Sequence, residues 1–161
     1  MAVAYEEPLN DCWWDKSHNE GLFQPNWVCK AVQKYKIGEK YSPWGGYLIN
    51  REQWISDFDG DKKLDVAVWV KNKQSNKQGI IIFNSSSEAP IVIGAGNKTI
   101  FGDDLSGFNL WTVLSKQKLT SPLESVAVTP NGDAIFLNSP EDMSAVLYWD
   151  GNEYRWFRIS N

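Results

Sequence analysis

The feature that most constrains this chain is its punctuation: short apolar runs, rarely longer than seven residues, broken by Gly, Asn, Asp, Ser and Pro. Runs of that length, rich in Val, Ile and aromatic residues and closed by turn formers, read as β-strands. Ten such runs stand out, at 47–49, 53–56, 64–70, 79–83, 91–93, 109–114, 125–128, 133–137, 145–149 and 153–159. Asn131-Gly132 and Asp150-Gly151 separate successive runs near the C-terminus. Because these dipeptides accept the positive φ that two-residue hairpin turns require, both predict antiparallel hairpins. The polar segments 71–78 and 116–122 read as loops. Helical spacing is confined to Val28, Val32 and Tyr35, a short helix over 28–36.

The expectation is therefore an all-β fold of antiparallel sheets with about ten short strands, propeller-like or sandwich-like. With 161 residues, the chain fits one domain, long enough to remove roughly 70% of its unfolded surface from water. We expect a β core over 45–161 preceded by a more irregular segment over 2–33. A net charge of −4 argues against a nucleic-acid partner, which needs a basic face to displace counterions. No run of about 18 apolar residues is present, so no membrane span is expected, and the start of the sequence does not read as a signal peptide.

Cys12 and Cys29 are the only cysteines. A disulfide between them would close a short loop and stabilise the chain by ~3 kcal/mol through its unfolded state. That contribution exists only in an oxidising compartment. Two buried free thiols are the other reading. Zinc is poorly served, since these two and His18 make too few ligands. Nine tryptophans supply large apolar surfaces for a core. Neighbours such as Trp13 and Trp14 point opposite ways on an extended chain, so some aromatic surface should remain exposed for recognition.

The most specific chemistry lies in Asp57-Phe58-Asp59-Gly60-Asp61-Lys62-Lys63-Leu64-Asp65. Carboxylates at 57, 59, 61 and 65, with the Lys63 carbonyl, can wrap one hard cation. Calcium, taking six to eight oxygens in flexible geometry, suits them better than magnesium. The loop is not an EF-hand, whose twelfth position is a bidentate Glu, here Val68. Its sixth position, where a left-handed backbone favours Gly, is Lys62, at a cost of ~1 kcal/mol. An acidic turn holding no ion is the plain alternative.

These residues bring a resemblance into view. The stretch from Trp54 to Trp69, with its Asp-Phe-Asp-Gly-Asp core followed by Asp65-Val66-Ala67-Val68, resembles the calcium loop of FG-GAP repeats in integrin-α propellers and related secreted bacterial proteins. A single copy speaks against a propeller built from repeats. The ordered series Gly79 to Phe83, Ile93 to Gly96, Gly102 to Ser106, Trp111, Gly132 to Ala134 and Tyr148 to Trp156 is similar to small exported bacterial proteins that carry one such loop. That resemblance implies a periplasmic or secreted location and a non-enzymatic role. Periplasmic immunity proteins against cell-wall-degrading type VI effectors are an analogy of size, class and compartment.

No catalytic set emerges. Gly94-Ala95-Gly96-Asn97-Lys98-Thr99 lacks the Gly that must precede the Lys of a phosphate loop. His18 has no nucleophile elbow near it. Asp103, Asp104, Glu141 and Asp142 are available for a glycosidase-type pair, but nothing singles out two of them. The segment Gly102 to Phe108 is polar with an apolar tip between glycines. Asp103, Asp104, Leu105, Ser106 and Phe108 are thus the expected partner-binding residues, presented on a loop as recognition residues often are. The leading expectation is a calcium-binding, non-catalytic protein that binds a protein partner, as an inhibitor or immunity protein against a cell-wall hydrolase. A carbohydrate- or cell-wall-binding module is the alternative, and a purely structural surface module the third reading.

Overall fold

A computed structural model describes residues 12–13, 24–45, 49–87 and 89–160. Helix α1 (Asn26–Lys34) starts after Pro25, whose fixed φ of −64° suits a helix entry, and buries Val28, Cys29 and Val32 on one face. Lys36, at φ 53°, turns the chain into a single helical turn, α2 (Ile37–Lys40). Cys12 and Cys29 lie at disulfide distance, with Cα atoms 5.6 Å apart.

The first sheet contains β1 (Tyr41–Pro43), β2 (Gln53–Ser56), β3 (Asp65–Asn72), β4 (Gln78–Phe83) and β5 (Ile91–Gly94), all antiparallel. Strands β1 and β2 share one edge of β3, with Pro43 opposite Val70 and Gln53 opposite Val68. Trp69 bridges them: its carbonyl accepts from Trp44 N–H at 2.9 Å and its N–H donates to the Glu52 carbonyl at 2.9 Å. The second sheet is a meander of β6 (Leu110–Leu114), β7 (Ala134–Asn138), β8 (Ser144–Trp149) and β9 (Tyr154–Ser160).

Alternation along each strand sorts the side chains into layers. Ala67, Trp69, Ile80 and Ile82 of the first sheet meet Trp111, Ile135, Leu137 and Leu147 of the second in one buried cluster. Trp69 and Trp111 lie edge to face with centroids 5.4 Å apart, an arrangement worth ~1 kcal/mol beyond the area buried. The opposite face of the first sheet, Val66, Val68, Val70, Ile81 and Phe83, packs on Val28 and Val32 of α1 and on Trp13 and Ile37. The outer face of the second sheet packs Ala134, Val146, Tyr148 and Phe157 on Leu119. Because both sheets are covered on both faces, β3 and β4 are almost continuously buried and read as unbroken apolar runs.

The architecture is an all-β sandwich of nine strands among the described residues. Two expectations need correction, and one strand is new. Residues 125–128 form no strand: only Val128 bridges, to Leu119, and Val126 is 70% exposed. Asn131-Gly132 is consequently no two-residue hairpin turn. Strand β1 has no counterpart among the predicted runs. The run at 47–49 lies outside the described residues except for Ile49, which is a core residue in a bend. Trp14 and His18 also lie outside them. Asp150-Gly151 does close a hairpin, through a four-residue turn in which Asp150 Oδ1 accepts from the amides of Asn152 (2.7 Å) and Glu153 (2.8 Å), with Gly151 at φ 102°.

Candidate functional site

The acidic loop connects β2 to β3, and its backbone is folded around its own carboxylates. Asp57 Oδ1 and Oδ2 accept from Gly60 N–H (2.8 Å) and Lys62 N–H (2.9 Å). Asp59 Oδ1 accepts from Asp61 N–H (3.2 Å), and Asp61 Oδ1 from Lys63 N–H (2.9 Å). Alternate carboxylates each capping the amide two or more residues on is the Asx-turn habit of aspartate. It curls the segment so that one oxygen from each of Asp57, Asp59, Asp61 and Asp65 lies within 4.8 Å of the others. Gly60 (φ 81°) and Lys62 (φ 69°) take the left-handed backbone that this curl demands, as expected at Lys62. Lys63 is exposed.

Asp65 is the buried member, with no solvent exposure. Its Oδ2 accepts from Phe58 N–H at 2.9 Å and Asp59 N–H at 3.4 Å, and its Oδ1 from Ser85 N–H at 2.9 Å. Burial nonetheless dominates, pushing the carboxyl up to about 6, with the charge on Asp59 adding to the rise. Burial also raises Asp59, aided by its neighbour Asp61. The Lys63 amide lowers Asp61. Four crowded carboxylates, two held above their ordinary range, can hold a metal ion, because a cation at their centre favours the charged form of each.

Residues not anticipated from the sequence fix this loop in place. Asp57 O accepts from Asp133 N–H at 2.8 Å, and Asp133 carboxylate oxygens accept from Ser56 Oγ and from Lys116 N–H. Asn131 Nδ2 donates to Asp59 O at 3.3 Å, and Ser86 Oγ donates to Asp59 Oδ2 at 3.0 Å. Gly60 and Gly132 meet backbone to backbone. A Cβ on Gly132 would stand 2.5 Å from Asp57 O and 2.6 Å from Gly60 N, and one on Gly60 would stand 2.2 Å from Asn131 O. Asn131-Gly132 therefore marks a close approach between loop and sheet and no hairpin turn. Its glycine serves close approach, and no positive φ is needed there.

The Gly102 to Phe108 segment differs from its expected form. Leu105 (1% exposed) and Phe108 (2% exposed) belong to the core between the sheets, so they are not an exposed apolar tip. The segment runs from β5 toward β6 and drops both residues into the inter-sheet space, where burial of each is worth roughly 2 kcal/mol. Asp103 pairs with Lys77, which holds its carboxyl below the usual range. Asp104 Oδ1 accepts from the amides of Gln78 (2.9 Å) and Ser106 (3.0 Å). Asp104 and Ser106 are exposed, and the exposed apolar residue nearby is Ile100, 62% accessible in the turn closed by Thr99 and Gly102.

Ile100 stands on the rim of a groove of about 360 Å³ lined by Val92, Ile93 and Gly94 of β5 and by Tyr154 and Trp156 of β9. Among the described residues β5 is an edge strand, paired with β4 alone. No helix among the described residues is long and apolar enough to cross a membrane. No family model, curated protein or solved structure matches the chain.

Proposed function

We propose that this is a non-catalytic, calcium-binding β-sandwich of an extracytoplasmic compartment, periplasmic or secreted, that acts by binding a protein partner. The convergence of Asp57, Asp59, Asp61 and Asp65 within 4.8 Å carries the metal part. The oxygen-only donor set favours a hard cation, and a curled, Asx-turned loop offers the high, flexible coordination that calcium takes. The FG-GAP-like sequence of the loop agrees with this. The Cys12–Cys29 pair at disulfide distance supports an oxidising compartment.

The partner reading rests on the β5 groove. An edge strand leaves one row of N–H and C=O groups free, and an extended segment of another protein can add to it while seating side chains beside it. Ile93, Trp156 and the exposed Ile100 offer the apolar contact. Asp104 and Ser106 lie on the following segment as polar rim. An inhibitor or immunity protein that occludes a cell-wall hydrolase fits such an arrangement.

Two experiments test the reading separately. Calcium should raise the melting temperature over chelated protein by mass action, and Asp59→Ala should remove most of that rise. Identical melting curves with calcium and chelator would discard the metal. Co-purification with candidate hydrolases should be lost on Ile100→Asp in a protein that still folds. Undiminished capture by that variant would discard the groove.

A further inference from the structure

Asn131-Gly132 is the one Asn-Gly pair in the chain. In such a pair the glycine nitrogen can attack the asparagine carboxamide, because glycine has no Cβ to crowd the five-membered ring that forms. Asparagine is thermolabile through this reaction. Asn131 is exposed and Gly132 is buried, so the pair spans the surface at the junction of the acidic loop with the second sheet.

Both reacting groups are held in that junction. Asn131 N–H donates to Trp149 O at 2.9 Å, and its Nδ2 donates to Asp59 O at 3.3 Å. One residue on, Asp133 N–H donates to Asp57 O at 2.8 Å. To reach Cγ of Asn131, the Gly132 nitrogen must rotate together with its planar peptide, which carries the Asn131 carbonyl. A Cβ on Gly60 would stand 2.2 Å from that carbonyl oxygen, and one on Gly132 would stand 2.6 Å from Gly60 N. The peptide that has to turn is thus the one the loop packs against.

We infer that Asn131 is a deamidation site controlled by the acidic loop, protected while the loop is docked on the second sheet and reactive when it lifts off. The bond from Gly132 N to Asn131 Cγ forms as the Cγ–Nδ2 bond breaks. The Gly132 amide proton leaves with the departing nitrogen as ammonia, and water then opens the succinimide at either carbonyl, giving aspartate or isoaspartate. Neither product restores the junction. Aspartate lacks the donor that Asn131 Nδ2 offers Asp59 O and adds a negative charge beside the loop. Isoaspartate lengthens the main chain by one methylene, where the backbones of loop and sheet already leave no room for a Cβ. A reversible local opening therefore becomes permanent. This inference involves neither the metal nor the β5 groove and stands or falls apart from the proposed function.

The test is incubation of the folded protein at mildly alkaline pH beside a sample held unfolded in urea, with peptide mapping of residue 131 over time. The unfolded chain should convert at least about tenfold faster, since the folded chain reacts only from its open fraction. Ser56→Ala removes the hydroxyl that donates to the Asp133 carboxylate and leaves the reacting pair untouched. Its folded form should convert roughly three- to tenfold faster than the folded parent, the change in open fraction that one lost hydrogen bond produces. Chain converted in urea and then refolded should melt below the unconverted protein. The inference is overturned if neither sample converts, if folded and unfolded chains convert at one rate, if folded Ser56→Ala converts no faster than the parent, or if the converted protein melts as the parent does.

Discussion

Replacing Gly132 with Ala probes how the acidic loop is joined to the second sheet. The new methyl would sit 2.5 Å from Asp57 O, 2.6 Å from Gly60 N and 2.8 Å from Phe58 C. All three obstacles are backbone, so no side chain can swing aside. Overpacking of this kind costs ~1–3 kcal/mol. Separating the segments also weakens the Asp133 N–H to Asp57 O bond, 2.8 Å long, worth ~1 kcal/mol. The expected loss is about 2–4 kcal/mol, and at roughly 2–4 °C per kcal/mol for a chain of this size the melting temperature should fall by ~4–16 °C. Urea denaturation in chelator measures the cost without any metal contribution. Two glycines calibrate it. A Cβ on Gly107 meets nothing within 4 Å, and one on Gly102 meets nothing but sits at φ 88°. Gly107→Ala should therefore be neutral within ~0.5 kcal/mol, and Gly102→Ala should cost ~1 kcal/mol from backbone strain alone. A Gly132→Ala protein as stable as Gly107→Ala would refute the close approach of loop and sheet.

Leu105→Ala should destabilise by ~2–5 kcal/mol in urea, as a buried core truncation does, whereas Ser106→Ala should be nearly silent; equal small effects would place Leu105 on the surface. Reducing the Cys12–Cys29 bond should lower stability by ~3 kcal/mol, read by denaturation with and without reductant, and two freely alkylated thiols in oxidised protein would rule the bond out. Asp150 is held down to about 2, first by the Glu153 amide and then by Arg155. Its folded value lies below its unfolded one, so its stabilising contribution is present above pH ~4 and is lost as pH falls toward 2. Asp150→Asn should thus flatten the acid limb of the stability profile, and an unchanged limb would count against the ion pair with Arg155.

How legible all this was depends on what set each element. Strands β3, β4, β7 and β8 could be read because burial forces apolar runs of the right length, and β9 because the Asp150-Gly151 turn precedes it. Asp57, Asp59, Asp61 and Asp65 could be read because their spacing is itself the constraint on the loop. Leu105 and Phe108 were misplaced because a short apolar pair among polar residues has the same local pattern on an exposed tip as in a segment crossing the end of a sandwich. Strand β1 is three residues ending in Pro43, which only an edge tolerates, and such a strand has no sequence periodicity. Asn84 left no signal at all. Its Oδ1 accepts from Tyr154 O–H, seventy positions away, and only the folded chain brings them together.

The two sheets are consecutive in sequence: the first is complete by Gly94 and the second begins at Leu110. Each sheet pairs only strands of its own half of the chain. A chain delivered from its N-terminus would finish one sheet before any of the other exists. Until Trp111 arrives, the Trp69, Ile80 and Ile82 face stands open to water and to other copies of the half-made chain. That face is covered only once both halves exist and are joined, with the acidic loop and Gly132 as the latch between them.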